Sequence, residues 1–479
     1  MSKLKVGYAG VAFSTYYAEE NDQYNRAIRG LEVLASELDF ELVAIPYGLT
    51  DDELVAQAAS TLKSAEIDFL LLESATCGSG DALIMLSQVA PRIGIWSTPD
   101  PKKEGPIQIH GLVMMNQYSS IIKRYLRHEQ IDYKWFWGHA DSAEFHHRFG
   151  ITIRALKAVK AMSEARVGWI GGLSPGFYDM AFDAGKLKQR LGGAHVVSHE
   201  LAELISIAKS IDEKEARAVA IDVTAAGSEV RVSATNMVKG SRVYLALKEL
   251  AARHNYTTLA VECWPQFQAQ YNLAPCMSYS WLGSEDGMAV SCEGDVMGAL
   301  SMQLLNELTD AHGSSTLLDM TQMDREHGSM LMWHCGVSPR HFANADGIKW
   351  VDHPTLGRKM TDGPYGVTGD QVFGAQETSL TYIGDSGDTL LVMRSQIIER
   401  DVKGYDGTRG WFNQFELNHK PIEIQDLINT IVVRGHEHHF AVGQGNVTNE
   451  LMECAAWWKM RLIEPVPYQD YLQVEGLNC

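Results

Sequence analysis

The sequence predicts an α/β protein: two layered parallel-sheet domains followed by a mainly β C-terminal domain with a small barrel. Three observations carry that prediction. In the first third, short apolar runs alternate with amphipathic segments of helical length, which is the pattern of βαβ units on a parallel sheet. The same alternation restarts near Arg166. After about residue 316 the helical periodicity fades, and short strands bounded by Gly, Asp and Pro take over. A chain of 479 residues exceeds what one core ordinarily serves, so we divide it at 1–165, 166–315 and 316–479.

The elements follow in order. KVGYAGVAF, ELVAIPY, IDFLLLES and RIGIWS read as strands of the first sheet. Between them, NDQYNRAIRGLEVLASELDF, TDDELVAQAASTLKSA and SGDALIMLSQVA read as helices. In the second series, ARVGWIGG and YTTLAVECW are buried strands, and GDVMGALSMQLLNELTD is a strongly periodic helix. The stretch from Ala216 to His254 contains a long helical segment. In the last part, GSMLMWHC, SLTYIGDSGDTLLVMRSQIIER and LINTIVVRG read as strands, the middle one folded at the hairpin signal GDSGD. A helix over NELMECAAWWKMRLIE closes the chain.

Composition excludes some partners. Hydrophobic residues make up 45% and charged residues 21%, as in ordinary globular proteins. A net charge of −19 argues against nucleic acid or an anionic membrane as the main partner. The seven cysteines are scattered, odd in number and without a CxxC pair. They read as reduced thiols of a cytoplasmic protein. The N-terminal segment lacks the features of a signal peptide, and no run is long enough to span a membrane.

Several residues could carry chemistry. Glu262 ends the apolar run TTLAVECW, and the carboxyl ends of strands in open α/β sheets are where ligands bind. It can equally be a solvated strand-end acid. Glu293 and Asp295 stand just before a helix. Asp295 is a good N-cap and Glu293 suits the helix dipole, and the pair could instead supply a hard oxygen ligand and a general base. His334 follows an apolar strand, and no second Cys or His stands at zinc-finger spacing beside it. The stretch RGHEHHF, Arg434–Phe440, lacks the HExxH pattern. If it is a strand, His436 and His438 share one face while Glu437 and His439 share the other. GLSPG is a glycine turn without a nucleotide-binding pattern. Asn116 and Gln117 lie after an apolar strand, placed to cap a following helix or to meet sugar hydroxyls.

Taken in order, MMNQ, WGHADSAEFHHRFG, GFYDMAFDAGKLKQRLG, ECWPQF, CEGDVMGAL, MWHCG and RGHEHHF resemble segments of the L-fucose isomerase and L-arabinose isomerase superfamily. The resemblance spans about residues 110 to 450. It implies two α/β domains and a β-rich third, a divalent metal (usually manganese) between domains, and aldose–ketose isomerisation through an enediol. It also implies a homo-oligomer, a trimer or hexamer. Glu262 would be the first carboxylate of the metal and acid/base site, and Glu293 or Asp295 the second. His439 or His438 would be the histidine ligand, and His334 a further ligand or substrate contact. Asn116, Gln117, Trp264 and His438 would line the sugar. The HEHH run is richer in ionisable groups than the family's double-His turn, which points to a modified sugar, deoxy or anionic.

The chemistry suits these residues. Moving a proton between C2 and C1 of a 2-hydroxy aldehyde needs a Lewis acid for the developing charge and a carboxylate to carry the proton. Carboxylate and imidazole donors favour manganese or a similar divalent ion, where thiolates would select softer metals. The competing expectations are a non-catalytic sugar-binding protein and another metal-dependent carbohydrate enzyme.

Overall fold

In this computed structural model, residues 2–309, 315–357 and 363–474 are described. Asp310, at the end of one predicted helix, and Cys479 lie outside them. The chain divides into two compact units, Met1–Lys157 and Ala158–Cys479.

The first unit holds β1 (Lys5–Val11), β2 (Glu41–Ala44), β3 (Phe69–Ser74), β4 (Arg92–Ser97) and β5 (Asp132–Trp137). All pairings are parallel, in the order β2-β1-β3-β4-β5. Every residue of β3 is buried, as expected of a strand covered on both faces. The helix Asp52–Ser64 starts where predicted, because the Asp51 side chain accepts the Leu54 N–H at 3.0 Å. Asn116 and Gln117 stand within the helix Gly111–Arg124, where both are exposed. The strand expected before them is helical instead: Met114, Met115, Tyr118 and Ile122 face inward at helical spacing.

The second unit holds a parallel sheet of β6 (Arg166–Ile170), β7 (His195–His199), β9 (Thr258–Val261) and β10 (Ala289–Ser291), with β8 (Glu229–Arg231) outside it. The order is β10-β9-β6-β7. The long helical stretch is two helices, Glu213–Ala226 and Ala234–His254, separated by β8. The Ser233 hydroxyl restarts the second by accepting the Asn236 N–H at 3.1 Å.

The remaining strands are β11 (Ser315–Asp324), β12 (Ser329–His334), β13 (Lys349–Asp352), β14 (Gly366–Val372), β15 (Gln376–Gly384), β16 (Thr389–Ile398), β17 (Thr408–Leu417), β18 (Lys420–Pro421), β19 (His439–Gln444) and β20 (Arg461–Leu462). Six of them close a ring. β16 pairs with β15 and β17, β17 with β12, β12 with β11, β11 with β19, and β19 with β15, all antiparallel. This is the expected small barrel, and β15 and β16 meet at the expected GDSGD turn. The helix Val296–Leu308 is buried on nearly every side and packs against β9, β11, β15 and β19. It joins the parallel sheet to the barrel.

Two further expectations fail here. LINTIVVRG forms the helix Ile424–Arg434. Ile424, Leu427, Ile428 and Ile431 recur at helical spacing, and Gly435 ends the helix at φ 62°. The helix Thr448–Trp458 does not close the chain, because β20 follows and pairs with β16. No described helix is long and apolar enough to cross a membrane.

Candidate metal centre and active site

The site grows from the carboxyl ends of the second unit's parallel strands, where an open α/β sheet binds ligands. After β10 the chain turns sharply: Glu293 has φ 62° and Gly294 φ 73°. A non-glycine residue is uncommon there, and the conformation costs backbone energy. A Cβ on Gly294 would lie 1.9 Å from the Gly172 carbonyl oxygen, so only glycine fits. The GLSPG turn after β6 buttresses this turn. The Ser174 N–H donates to the Glu293 carbonyl at 2.9 Å, and its hydroxyl donates to the Trp264 carbonyl at 3.1 Å.

Asp295 caps the helix Val296–Leu308, accepting the Gly298 N–H on Oδ1 at 2.8 Å. Oδ1 also accepts the Tyr382 hydroxyl at 2.9 Å, and Oδ2 accepts from His439 Nδ1 at 2.8 Å. Both carboxylate oxygens are therefore occupied, and Asp295 stands behind His439 rather than beside it. With Nδ1 donating, His439 presents Nε2 as an acceptor. His439 is fully buried at the start of β19, directly across from Asp319 of β11.

The Nε2 of His439 lies 3.4 Å from Glu293 Oε2, 3.7 Å from Asp319 Oδ1 and 3.4 Å from His334 Nε2. His438 approaches the same point, its Nε2 3.6 Å from Glu293 Oε2. Its Nδ1 donates to Asp179 Oδ2 at 2.6 Å, so its Nε2 is also an acceptor. Strand alternation does not part the two histidines, because β19 begins at His439 and His438 still belongs to the preceding turn. Their ring centroids are 4.2 Å apart. His436 points elsewhere, stacking on Phe440, and Glu437 accepts the Asp385 N–H at 3.1 Å.

These residues fit a metal ion. Glu293 Oε2 and Asp319 Oδ1 are buried without hydrogen-bond partners, although buried polar atoms are rarely left unpaired. Two donors on one ion, each about 2.0–2.2 Å from it, stand roughly 3–3.5 Å apart, close to the separations above. Charge agrees. Burial would raise the Glu293 carboxyl, but the imidazoles of His438 and His439 outweigh it and hold it at about 2. Burial opposes protonation of His439, yet Asp295 and Glu293 pull it well above the ordinary imidazole range. Burial raises the Asp319 carboxyl in turn. The cluster thus favours positive charge, and a divalent ion would take the place of the protons. Cys292, 3.4 Å from His334 Nε2, lies at the same cluster, and burial raises its thiol well above the usual value. His334 differs from the other two histidines. Its Nδ1 accepts the Cys335 N–H at 2.9 Å, which leaves Nε2 as an N–H donor aimed into the cluster.

Glu262 stands just past the end of β9, apart from the groups drawn together around His439. It is 1% exposed, and its Oε1 is buried without a partner. Burial raises its carboxyl to about 7, which suits proton transfer near neutral pH. Trp264 packs edge-on against Phe177 at 5.8 Å, and Phe177 lies 5.2 Å from the His438 ring. Asn116 and Gln117 belong to the first unit.

Sequence reasoning missed Asp179, Asp319, Phe177 and Tyr382. Asp319 had a signal: it is an acid inside the apolar run STLLDM. The other three reach the site only through the fold.

No family model matches the chain. It is 28% identical over 409 residues to the sulfoquinovose isomerase of Alkalicoccus urumqiensis, covering 84% of this chain and 87% of that protein. It is 27% identical over 463 residues to the sulfoquinovose isomerases of Priestia aryabhattai and of Priestia megaterium (strain ATCC 12872 / QMB1551), covering 95% of this chain and 97% of each.

Proposed function

We infer that this chain is an aldose–ketose isomerase that uses a divalent metal to interconvert a sulfonated aldohexose and its ketose. The enzyme class and the sulfonated substrate rest on the similarity to sulfoquinovose isomerases. The observation that carries the metal is the pair of unpartnered carboxylate oxygens facing the acceptor nitrogens of His438 and His439. The same arrangement supports kinship with the fucose and arabinose isomerases.

Glu293, Asp319, His438 and His439 would hold the ion. The mixed oxygen and nitrogen donors favour Mn²⁺, which when bound supplies Lewis-acid stabilisation for charge developing on substrate oxygens. Asp295 and Asp179 fix the tautomer and aim of the two histidines. Glu262 takes the proton from C2 on its free Oε1 and returns it to C1, while the O2 hydroxyl proton passes to O1; its raised carboxyl is easy to load and unload at neutral pH. The Nε2–H of His334 donates to a sugar oxygen, and Trp264 and Phe177 supply an apolar wall that limits water. Asn116 and Gln117 remain proposed sugar contacts. The working form is proposed to be a cytoplasmic homo-oligomer, a trimer or hexamer, which light scattering of the purified protein tests.

The test is to incubate the Mn²⁺-loaded protein with sulfoquinovose, glucose, fucose and arabinose and measure ketose formation. The expected outcome is turnover of the sulfonated sugar above the others. Equal turnover of glucose would overturn the substrate assignment. Absence of any ketose would overturn the function.

A further inference from the structure

The first unit contains a cavity of about 390 Å³ whose lining the isomerase reading does not use. Its wall is the helix Gln23–Glu37, and its floor is the carboxyl end of β3, β4 and β5. That is the ligand-binding edge of an open parallel sheet, next to the point where the order β2-β1-β3-β4-β5 reverses direction.

At the floor lies Glu73, which is 0% exposed. Its Oε2 accepts the Tyr8 hydroxyl at 2.5 Å, while Oε1 is buried without a partner. Burial raises this carboxyl to about 8, so it carries a proton at neutral pH. With Oε2 taken by Tyr8, that proton makes Oε1 a donor. Thr98 adds a buried hydroxyl, at 3.5 Å from Gln23 Oε1. Arg26 stands at the mouth with its side chain 46% exposed. Its contacts to His139 Nε2 at 3.2 Å and to the Asp141 carboxylate at 3.4–3.5 Å are long, so the guanidinium retains capacity for a stronger acceptor. Donors thus stand at the floor and at the mouth, where an oxyanion would compete with the Asp141 carboxylate for Arg26, and the volume is that of a small-metabolite site.

We propose that this cavity is a second ligand site, which takes a small hydroxyl-bearing oxyanion with Arg26 on the anion and Glu73 on a hydroxyl or ring oxygen. A phosphorylated and a sulfonated hexose share that chemistry. The site is separate from the metal cluster in its residues and needs none of the isomerase roles.

The test is calorimetric titration of the full chain carrying Glu293→Gln, so that the metal cluster does not contribute. The probes are glucose 6-phosphate, sulfoquinovose, inorganic phosphate and sulfate. At least one sugar anion should bind, and Arg26→Ala in the same background should weaken it tenfold or more. Glu73→Gln, which keeps one donor and the side-chain shape, should weaken it less. Preference for the phosphate or the sulfonate identifies the source of the anion. Failure of all four probes overturns the proposal, as does binding that Arg26→Ala leaves unchanged. Phosphate or sulfate binding as tightly as the sugars would overturn the hydroxyl-bearing ligand.

Discussion

Glu73 is the last residue but one of β3 in the first unit, and Glu293 follows β10 in the second, each at the carboxyl edge of a parallel sheet. Both are largely withdrawn from water, and burial acts on both in the same direction. Burial pushes Glu73 up to about 8, and the hydrogen bond from the Tyr8 phenol only partly offsets it. Glu293 meets two imidazoles and is held at about 2. Burial alone makes such an edge offer a neutral donor, and only charged neighbours such as two imidazoles turn it into an anionic ligand. Glu262, at about 7 with no such partner, stands between them and suits proton transfer.

The comparison can be broken at four places. Glu293→Gln removes the anionic ligand, and ketose formation should fall by about 10³-fold or more, the scale of lost Lewis-acid stabilisation. Metal analysis of the same variant should show the loss of bound ion. Glu262→Gln should keep the metal while slowing the reaction by about 10²–10³-fold, the worth of a general base. In the wild type, the rate should climb as pH rises through about 7, because the base works when deprotonated. A pH-independent rate between 5 and 8.5 would remove Glu262 from that role. Asp295→Asn should weaken metal binding by roughly 10–100-fold, the usual effect of losing a carboxylate behind a ligating histidine. Excess Mn²⁺ should then restore most of the turnover.

The smallest effect concerns Glu73. Its folded value, about 8, exceeds the ordinary 4.5, so between those values the folded state holds a proton that the unfolded state has released. Stability therefore falls as pH rises across that window. The full penalty is on the order of a few kcal/mol. Glu73→Gln removes the slope, so the melting temperature of the variant minus that of the wild type should grow from pH 5 to pH 8. A difference that stays constant with pH would mean that Glu73 is ionised in the folded protein.

Much of this was legible in the sequence, for physical reasons. Long periodic segments such as Val296–Leu308 announced themselves, as did the parallel-sheet alternation and the hairpin turn. Glu293 and the two histidines stood out because acids and imidazoles followed apolar runs. Short runs were ambiguous: LINTIVVRG has the β-branched content of a strand and the spacing of a helix, and packing of Leu427 decides for the helix. β5, with its Asp and Lys among aromatics, and β7 did not signal themselves at all. Asp295 could be read as a cap or as a ligand. Only the approach of His439 and Tyr382 from β19 and β15 shows that it caps the helix and aims the histidine at once. The partner of His438, Asp179, lies 259 residues away in sequence. No local pattern could have joined them.

The central claim is that Glu293, Asp319, His438 and His439 form one divalent metal site. Titrating Mn²⁺ into the metal-stripped protein, with the free ion followed by electron paramagnetic resonance, tests it directly. The account predicts one tight site per chain that is lost in Glu293→Gln. A wild-type protein that binds no Mn²⁺, or a Glu293→Gln variant that binds it equally well, would contradict it.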